Sequence, residues 1–276
     1  MRLRPEIQAL PRPRLIAALR RTAAGAALAA IAFAGDAAPA PAQTIVQAVP
    51  AAGASEQVLL ASPLRPRATL FMFAGGDGTV SFNAANQIVH MGGNFLLRTQ
   101  PLWLAQGFAF ATLASPSSLM GRRHTPGYAD AVARAVDFVR SRVSAPVWLV
   151  GTSQGSIAAA NGAAHLAGRV AGVVLTSSVA GRSASGETVF DSDLGAIAVP
   201  ALVVANRGDT CPSAAPGFAP QIFAALARSP RKDIIYVESH QAQSAPCEAL
   251  SPHGYLGIEG DVVRRIADWI AAAPGR

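Results

Sequence analysis

Val147-Trp148-Leu149-Val150-Gly151-Thr152-Ser153-Gln154-Gly155-Ser156 decides how the rest of the chain is read. A short apolar run ends in Gly-x-Ser-x-Gly and opens directly into an Ala-rich segment of helical character. Strand, sharp turn and helix in direct succession is the context in which a serine is held in strained geometry above the end of a sheet. Side chains two residues to either side would collide in so tight a turn, which gives Gly151 and Gly155 a steric reason to be glycine. The five-residue pattern alone is weak. An acid, a histidine and an oxyanion donor must follow from neighbouring strand ends before the serine counts as a nucleophile.

The bulk composition allows a large core. The chain has 276 residues, 51% hydrophobic and 14% charged, which is enough for one domain or at most two. The net charge of +7 is uneven: residues 1–42 hold six arginines against Glu6 and Asp36, a net +4 of that total. The remainder carries only a modest excess, and no basic run with interleaved aromatics survives in it, which argues against nucleic-acid binding. Residues 1–42 read as a signal peptide. A basic stretch over 2–21 precedes an apolar run over 22–34, and Ala40-Pro41-Ala42 offers a small-x-small cleavage site before Gln43. The apolar run falls short of the roughly 20 residues a membrane span needs. The expected location is periplasmic or secreted, with no stable membrane span after cleavage.

Beyond the signal, residues 43–54 are rich in Ala, Pro and Gln and read as a loose lead-in, with the folded domain over 55–276. Apolar stretches at 57–62, 69–73, 108–113, 147–150, 170–175, 201–204 and 234–237 read as strands. Segments at 94–106, 127–143, 155–166, 216–228 and 261–273 read as helices, with Pro101 as a kink or boundary in the first. Strands that are apolar throughout and alternate with helices argue for an α/β fold. The expected architecture is a mostly parallel central sheet of about eight strands with helices on both faces.

Parallel α/β sheets place their sites at the carboxyl ends of the strands. Three features follow strand ends here. Phe73-Ala74-Gly75-Gly76-Asp77-Gly78 follows the second strand. As a dinucleotide turn its spacing fails, because Ser81 stands where a third glycine belongs; as an oxyanion loop, its glycines let backbone N–H groups approach a substrate oxygen. Asp209 lies just past strand 201–204, and His253 precedes the last helix within Ser251-Pro252-His253-Gly254-Tyr255. Asp191 and Asp193 are rival acids and His240 a rival base. His90, His124 and His165 read as structural or surface residues.

The order Ser153…Asp209…His253, with the glycine loop before it, resembles the α/β-hydrolase fold superfamily across residues 55–273. The likeness is strongest to small secreted or periplasmic serine esterases with a minimal cap. It implies a catalytic triad of Ser153, Asp209 and His253. It also implies an oxyanion hole from the Gln154 N–H and an N–H of either Gly76 or Asp77. The strand end here lacks the His-Gly often found in that superfamily, so the choice between Gly76 and Asp77 stays open. No metal or organic cofactor is implied. The activity implied is cleavage of small-molecule or polymeric carboxylic esters through an acyl-enzyme. A peptidase or amidase on the same triad, and a non-catalytic periplasmic binding protein retaining the fold, are the alternatives. Only a short connector separates strands 170–175 and 201–204, which implies an open cleft, with Arg122 and Arg123 placed to line its rim.

Cys211 and Cys247 are the two cysteines of the chain. An even pair in an exported protein points to one disulfide. A bridge between them would staple the loop holding Asp209 to the loop holding His253.

Overall fold

The computed structural model describes residues 43–51 and 54–272. The expected signal peptide over 1–42 lies outside the described residues. The chain runs through β1 (Gln43–Ala51), β2 (Ala54–Ser62), β3 (Thr69–Phe73), β4 (Ser81–Phe82) and β5 (Ile88–His90). It continues through α1 (Phe95–Arg98), α2 (Gln100–Ala105), β6 (Ala109–Leu113), α3 (Pro126–Arg142), β7 (Val147–Thr152), α4 (Gly155–His165) and β8 (Gly172–Thr176). It closes with β9 (Ala201–Asn206), α5 (Ala219–Ala225), β10 (Lys232–Val237) and α6 (Glu259–Ala271).

Eight strands form one sheet in the order β1-β2-β6-β3-β7-β8-β9-β10. β1 and β2 run antiparallel, β2 pairs antiparallel with β6, and the remaining pairings are parallel. The sheet is buried on both faces, and alternate side chains feed opposite cores. Phe71, Phe73 and Leu149 point to the layer of Val132, Val136 and Val139 from α3 and Ala158 and Ala159 from α4. Leu70, Met72, Trp148 and Val150 point to the layer of Phe95 and Leu96 from α1, Trp103 from α2 and Val262 and Ile266 from α6. The uninterrupted apolar runs of the strands are this two-faced burial.

Two parts of the sequence reading differ from the structure. The lead-in over 43–54 is a strand: β1 pairs with β2 from Gln43↔Ser62 to Ala51↔Ala54. Its Ala-, Pro- and Gln-rich composition hides it, because an edge strand needs only one partner and tolerates a proline such as Pro50. The short hairpin of β4 and β5 also has no apolar run to announce it. Its turn is made by the Asn83 side chain, whose Oδ1 accepts from the N–H groups of Ala85 (3.0 Å) and Gln87 (2.9 Å). Pro101 does mark a boundary. It sits in the first turn of α2, where its missing N–H costs nothing, and Thr99 ends α1 just before it.

α4 carries almost no bulk. Gly155 to Ala163 are all buried, and their small side chains let the helix lie close against the centre of the sheet. α6 contrasts with it: Val262, Ile266 and Ile270 face the core while Arg264 and Arg265 pair with Asp261 at the surface. Replacing the fully buried Ile266 by Ala should therefore cost about 2–5 kcal/mol of stability, whereas Arg264→Ala should cost no more than about 1 kcal/mol. Denaturant titration of the two variants measures the contrast.

Candidate active site

β7 ends at Thr152 and α4 begins at Gly155, so Ser153 and Gln154 make the turn between them. Ser153 has φ 54°, in the left-handed region that is costly for a residue with a Cβ. Its surroundings hold it there. Its N–H donates to Thr176 O at 3.0 Å, and its carbonyl accepts from the Ser156 N–H (3.0 Å) and Oγ (2.7 Å). The flanking glycines are steric necessities. A Cβ on Gly151 would lie 2.3 Å from Gly155 O, and one on Gly155 would lie 2.0 Å from Phe73 O at the end of β3. The amides of Gln154 and Gly155 stand ahead of the first bonds of α4, at the positive end of the helix.

Asp209 and His253 come together although 44 residues separate them in sequence. Both are buried, and His253 Nδ1 lies 2.8 Å from Asp209 Oδ2. The second carboxylate oxygen, Oδ1, accepts from the Cys211 N–H at 2.9 Å. A neutral imidazole that donates from Nδ1 to this carboxylate leaves the lone pair on Nε2. Nε2 is buried and has no hydrogen-bond partner.

The rival residues lie elsewhere. Asp191 accepts from the N–H and hydroxyl of Thr188 in a local cap, and Asp193 is an exposed turn residue. His240 is on the surface, its side chain 74% exposed and paired with Glu238. His90 bonds Thr79, His124 bonds Glu187 and His165 bonds the Asn161 carbonyl, and none of the three lines the cavity that Ser153 borders.

Gly75, Gly76, Ser153 and His253 line one cavity of about 240 Å³, together with Met91, Asn94, Phe95, Cys247 and Glu248. Gly76 has φ +55°. Asp77 points its side chain into its own loop, where its carboxylate accepts from the Thr79 N–H at 3.1 Å and the Thr79 hydroxyl at 2.8 Å. The Thr79 N–H holds that carboxyl below the usual range despite some desolvation, so Asp77 is an ionised turn residue. Of the two candidate donors in this loop, Gly76 is the one that borders the cavity.

Three side chains that the sequence reading did not single out grip the histidine segment from below. Asn206 Nδ2 donates to Pro252 O (2.7 Å), Ser177 Oγ to His253 O (2.8 Å) and Arg98 Nη2 to Gly254 O (2.6 Å). Asn206 also accepts from the Gly208 and Ser239 N–H groups at 3.1 Å and 2.9 Å, tying the acid loop to the histidine loop. Each sits at or just past a strand end or on a neighbouring helix. The only sequence signal was a buried-type position occupied by a polar residue, as at Asn206 closing an apolar strand. Tyr255 completes the anchor: its hydroxyl donates to Val204 O at 3.0 Å, and burial pushes its pKa well above the ordinary tyrosine range. A Cys211–Cys247 disulfide closes the same region.

Arg122 and Arg123 do not line this cavity. Arg122 borders a separate hollow with Leu119 and Tyr128, and Arg123 is fully buried. Among the described residues no group of three His, Cys, Asp or Glu side chains is placed to hold a metal ion, and no helix is long and apolar enough to cross a membrane.

No protein-family model matches the chain, and no curated protein matches it by sequence. Solved structures do match it. Dienelactone hydrolase from Anabaena variabilis superposes with a TM-score of 0.60 at 14% identity, over 84% of this chain and 98% of that one. An esterase from Pyrobaculum calidifontis superposes with a TM-score of 0.58 at 13% identity, over 83% and 86%. The acylaminoacyl peptidase of Pyrococcus horikoshii gives 0.55 at 9% identity, over 84% of this chain and 41% of that one. Strand order, crossover pattern and these neighbours define the class: the chain has the α/β-hydrolase fold.

Two substitutions test the scaffolding. Asn206→Ala leaves two buried N–H groups and one carbonyl without their partner, and should lower stability by about 1–3 kcal/mol or more. Replacing Cys211 and Cys247 together by Ala should lower it by about 3–4 kcal/mol on chain-entropy grounds. Urea titration of each variant against the parent reads both. Two titratable thiols in unreduced parent protein would contradict the bridge.

Proposed function

We propose that this chain is a serine hydrolase that cleaves carboxylic esters through an acyl-enzyme. The observation that carries the reading is His253: a buried imidazole bonded to Asp209 at 2.8 Å on one side, unpartnered at Nε2 on the other, and lining one cavity with Ser153. A buried polar nitrogen without a partner is costly unless something else uses it. A base waiting for the proton of a nearby nucleophile is such a use.

The steps follow from that geometry. Ser153 is a poor nucleophile until a base takes its proton, and His253 Nε2 has the free lone pair for it. As Ser153 Oγ attacks the ester carbonyl carbon, the proton passes to Nε2, and Asp209 stabilises the imidazolium without itself becoming protonated. The carbonyl oxygen becomes an oxyanion, met by the N–H groups of Gln154 and Gly76. His253 then returns the proton to the departing alcohol, leaving Ser153 acylated. Water, deprotonated by His253, attacks the acyl carbon, releases the acid and restores the serine hydroxyl. Every proton transferred passes through His253, and no step calls for a metal or organic cofactor.

The cavity is smaller than the roughly 300–1,000 Å³ typical of small-molecule pockets. This supports a short acyl or alcohol group seated beside Ser153 and the rest of the substrate lying across the open mouth. The signal-like residues 1–42 and the disulfide support export to an oxidising compartment. The likeness to an acylaminoacyl peptidase gives the amidase reading its one support.

Nitrophenyl acetate and butyrate should be turned over faster than the laurate, and Ser153→Ala should abolish turnover of all three. A fluorophosphonate probe should label the parent at Ser153 and leave the Ala variant unlabelled. Hydrolysis of a matched anilide at the rate of the ester would move the assignment to an amidase. Equal ester turnover by parent and Ser153→Ala would refute the mechanism.

A further inference from the structure

Arg123 is the largest charged side chain in the interior, fully buried, and the proposed proton transfers do not use it. A buried guanidinium cannot meet a substrate at the rim. It runs beneath the glycine loop instead. Nη2 donates to Gly76 O at 2.9 Å, and a Cβ on Gly78 would lie 2.5 Å from the same nitrogen, so the loop is shaped around this group.

The arginine is itself held from two directions. Asn161, buried on α4, donates from Nδ2 to the carbonyls of Arg123 at 2.8 Å and Thr125 at 2.9 Å. Glu187 comes from the connector between β8 and β9, is only 2% exposed, and places Oε1 3.8 Å from Arg123 Nη1. The same carboxylate accepts from the Gly121 N–H at 3.1 Å and from His124 Nδ1 at 2.8 Å. A buried ion pair gains little stability over apolar residues of the same shape, so its presence calls for another use.

We propose that Arg123, held by Glu187, is a positioning residue for the oxyanion loop. Its bond to the Gly76 carbonyl fixes the Gly76–Asp77 peptide plane, and with it the left-handed turn at Gly76 beside the cavity. The charge-assisted bond also polarises that peptide, so an Asp77 N–H serving as donor would be strengthened by the same contact. Either way the effect falls on the transition state, where the substrate oxygen carries charge, and not on substrate binding. Glu187 ties this device to the connector between β8 and β9.

The inference rests on the serine-hydrolase reading, and the experiment separates the two. Turnover abolished by Ser153→Ala establishes the nucleophile; the arginine is tested in Arg123→Met, Arg123→Lys and Glu187→Gln. Steady-state kinetics on nitrophenyl acetate would be paired with inhibition by an alkyl boronic acid, which forms a tetrahedral adduct at the serine. Arg123→Met should lower kcat about 10–100-fold, a substantial part of what loss of one oxyanion donor costs, with KM within twofold of the parent. Boronate affinity should fall in parallel, and Arg123→Lys should recover part of both. A folded Arg123→Met enzyme with kcat and boronate affinity within twofold of the parent would overturn the proposal. So would failure of all three variants to fold, which would make the pair a requirement of folding rather than of the loop.

Discussion

The structure depends on one steric constraint: the turn from β7 into α4 crosses the end of β3 with no room for a side chain. Gly155 lies so close to Phe73 O that a Cβ there would stand 2.0 Å from it, and Gly151 is blocked in turn by Gly155. That closeness has two results. It forces Ser153 into the left-handed region, with φ 54°, and it brings the loop that follows Phe73 alongside the serine. The strained residue and the glycine loop are therefore neighbours for a single reason, the approach of two adjacent parallel strands at their carboxyl ends. The small side chains of α4 keep the helix near enough for this to hold.

The other half of the site is kept in place by bonds to main chain. Loops after β9 and β10 have no ladder to hold them, so their carbonyl and N–H groups must find side chains. Asn206 bonds three of them, Ser177 and Arg98 take two more, and the Cys211–Cys247 bridge adds a covalent tie. The carboxylate of Asp209 is occupied at both oxygens as a result, by Cys211 and by His253. An imidazole fixed so firmly at Nδ1 has little freedom left in its ring plane, and its second nitrogen is committed to one direction.

Much of this was legible before any coordinates. The apolar runs announced the parallel sheet because a strand buried on both faces cannot alternate. Helix–strand spacing then put Ser153, Asp209 and His253 at strand ends, and the two cysteines at the acid and histidine loops. β1 was not legible, since an edge strand of Ala, Pro and Gln carries no periodic signal and owes its form to β2. Arg123 was read, with Arg122, as a residue placed to line the rim of an open cleft. Its burial depends on Glu187, 64 positions away, and on the Gly76 carbonyl, and neither partnership leaves a mark in local sequence.

The division has a physical cause. Backbone sterics and hydrophobic periodicity act over a few residues, so the amino-acid sequence by itself determined the strand–turn–helix at Ser153, the apolar strands of the sheet's interior and the order of the site residues along the chain. Choices among like residues depend on distance through space. Tertiary structure brought the His253 ring against Asp209 and left His240 on the surface. It put Gly76 rather than Asp77 on the cavity wall, and it turned Arg123 inward beneath the loop. The buried pairings among those outcomes join polar groups from distant strand ends, and only the folded sheet brings such partners within hydrogen-bond reach of one another.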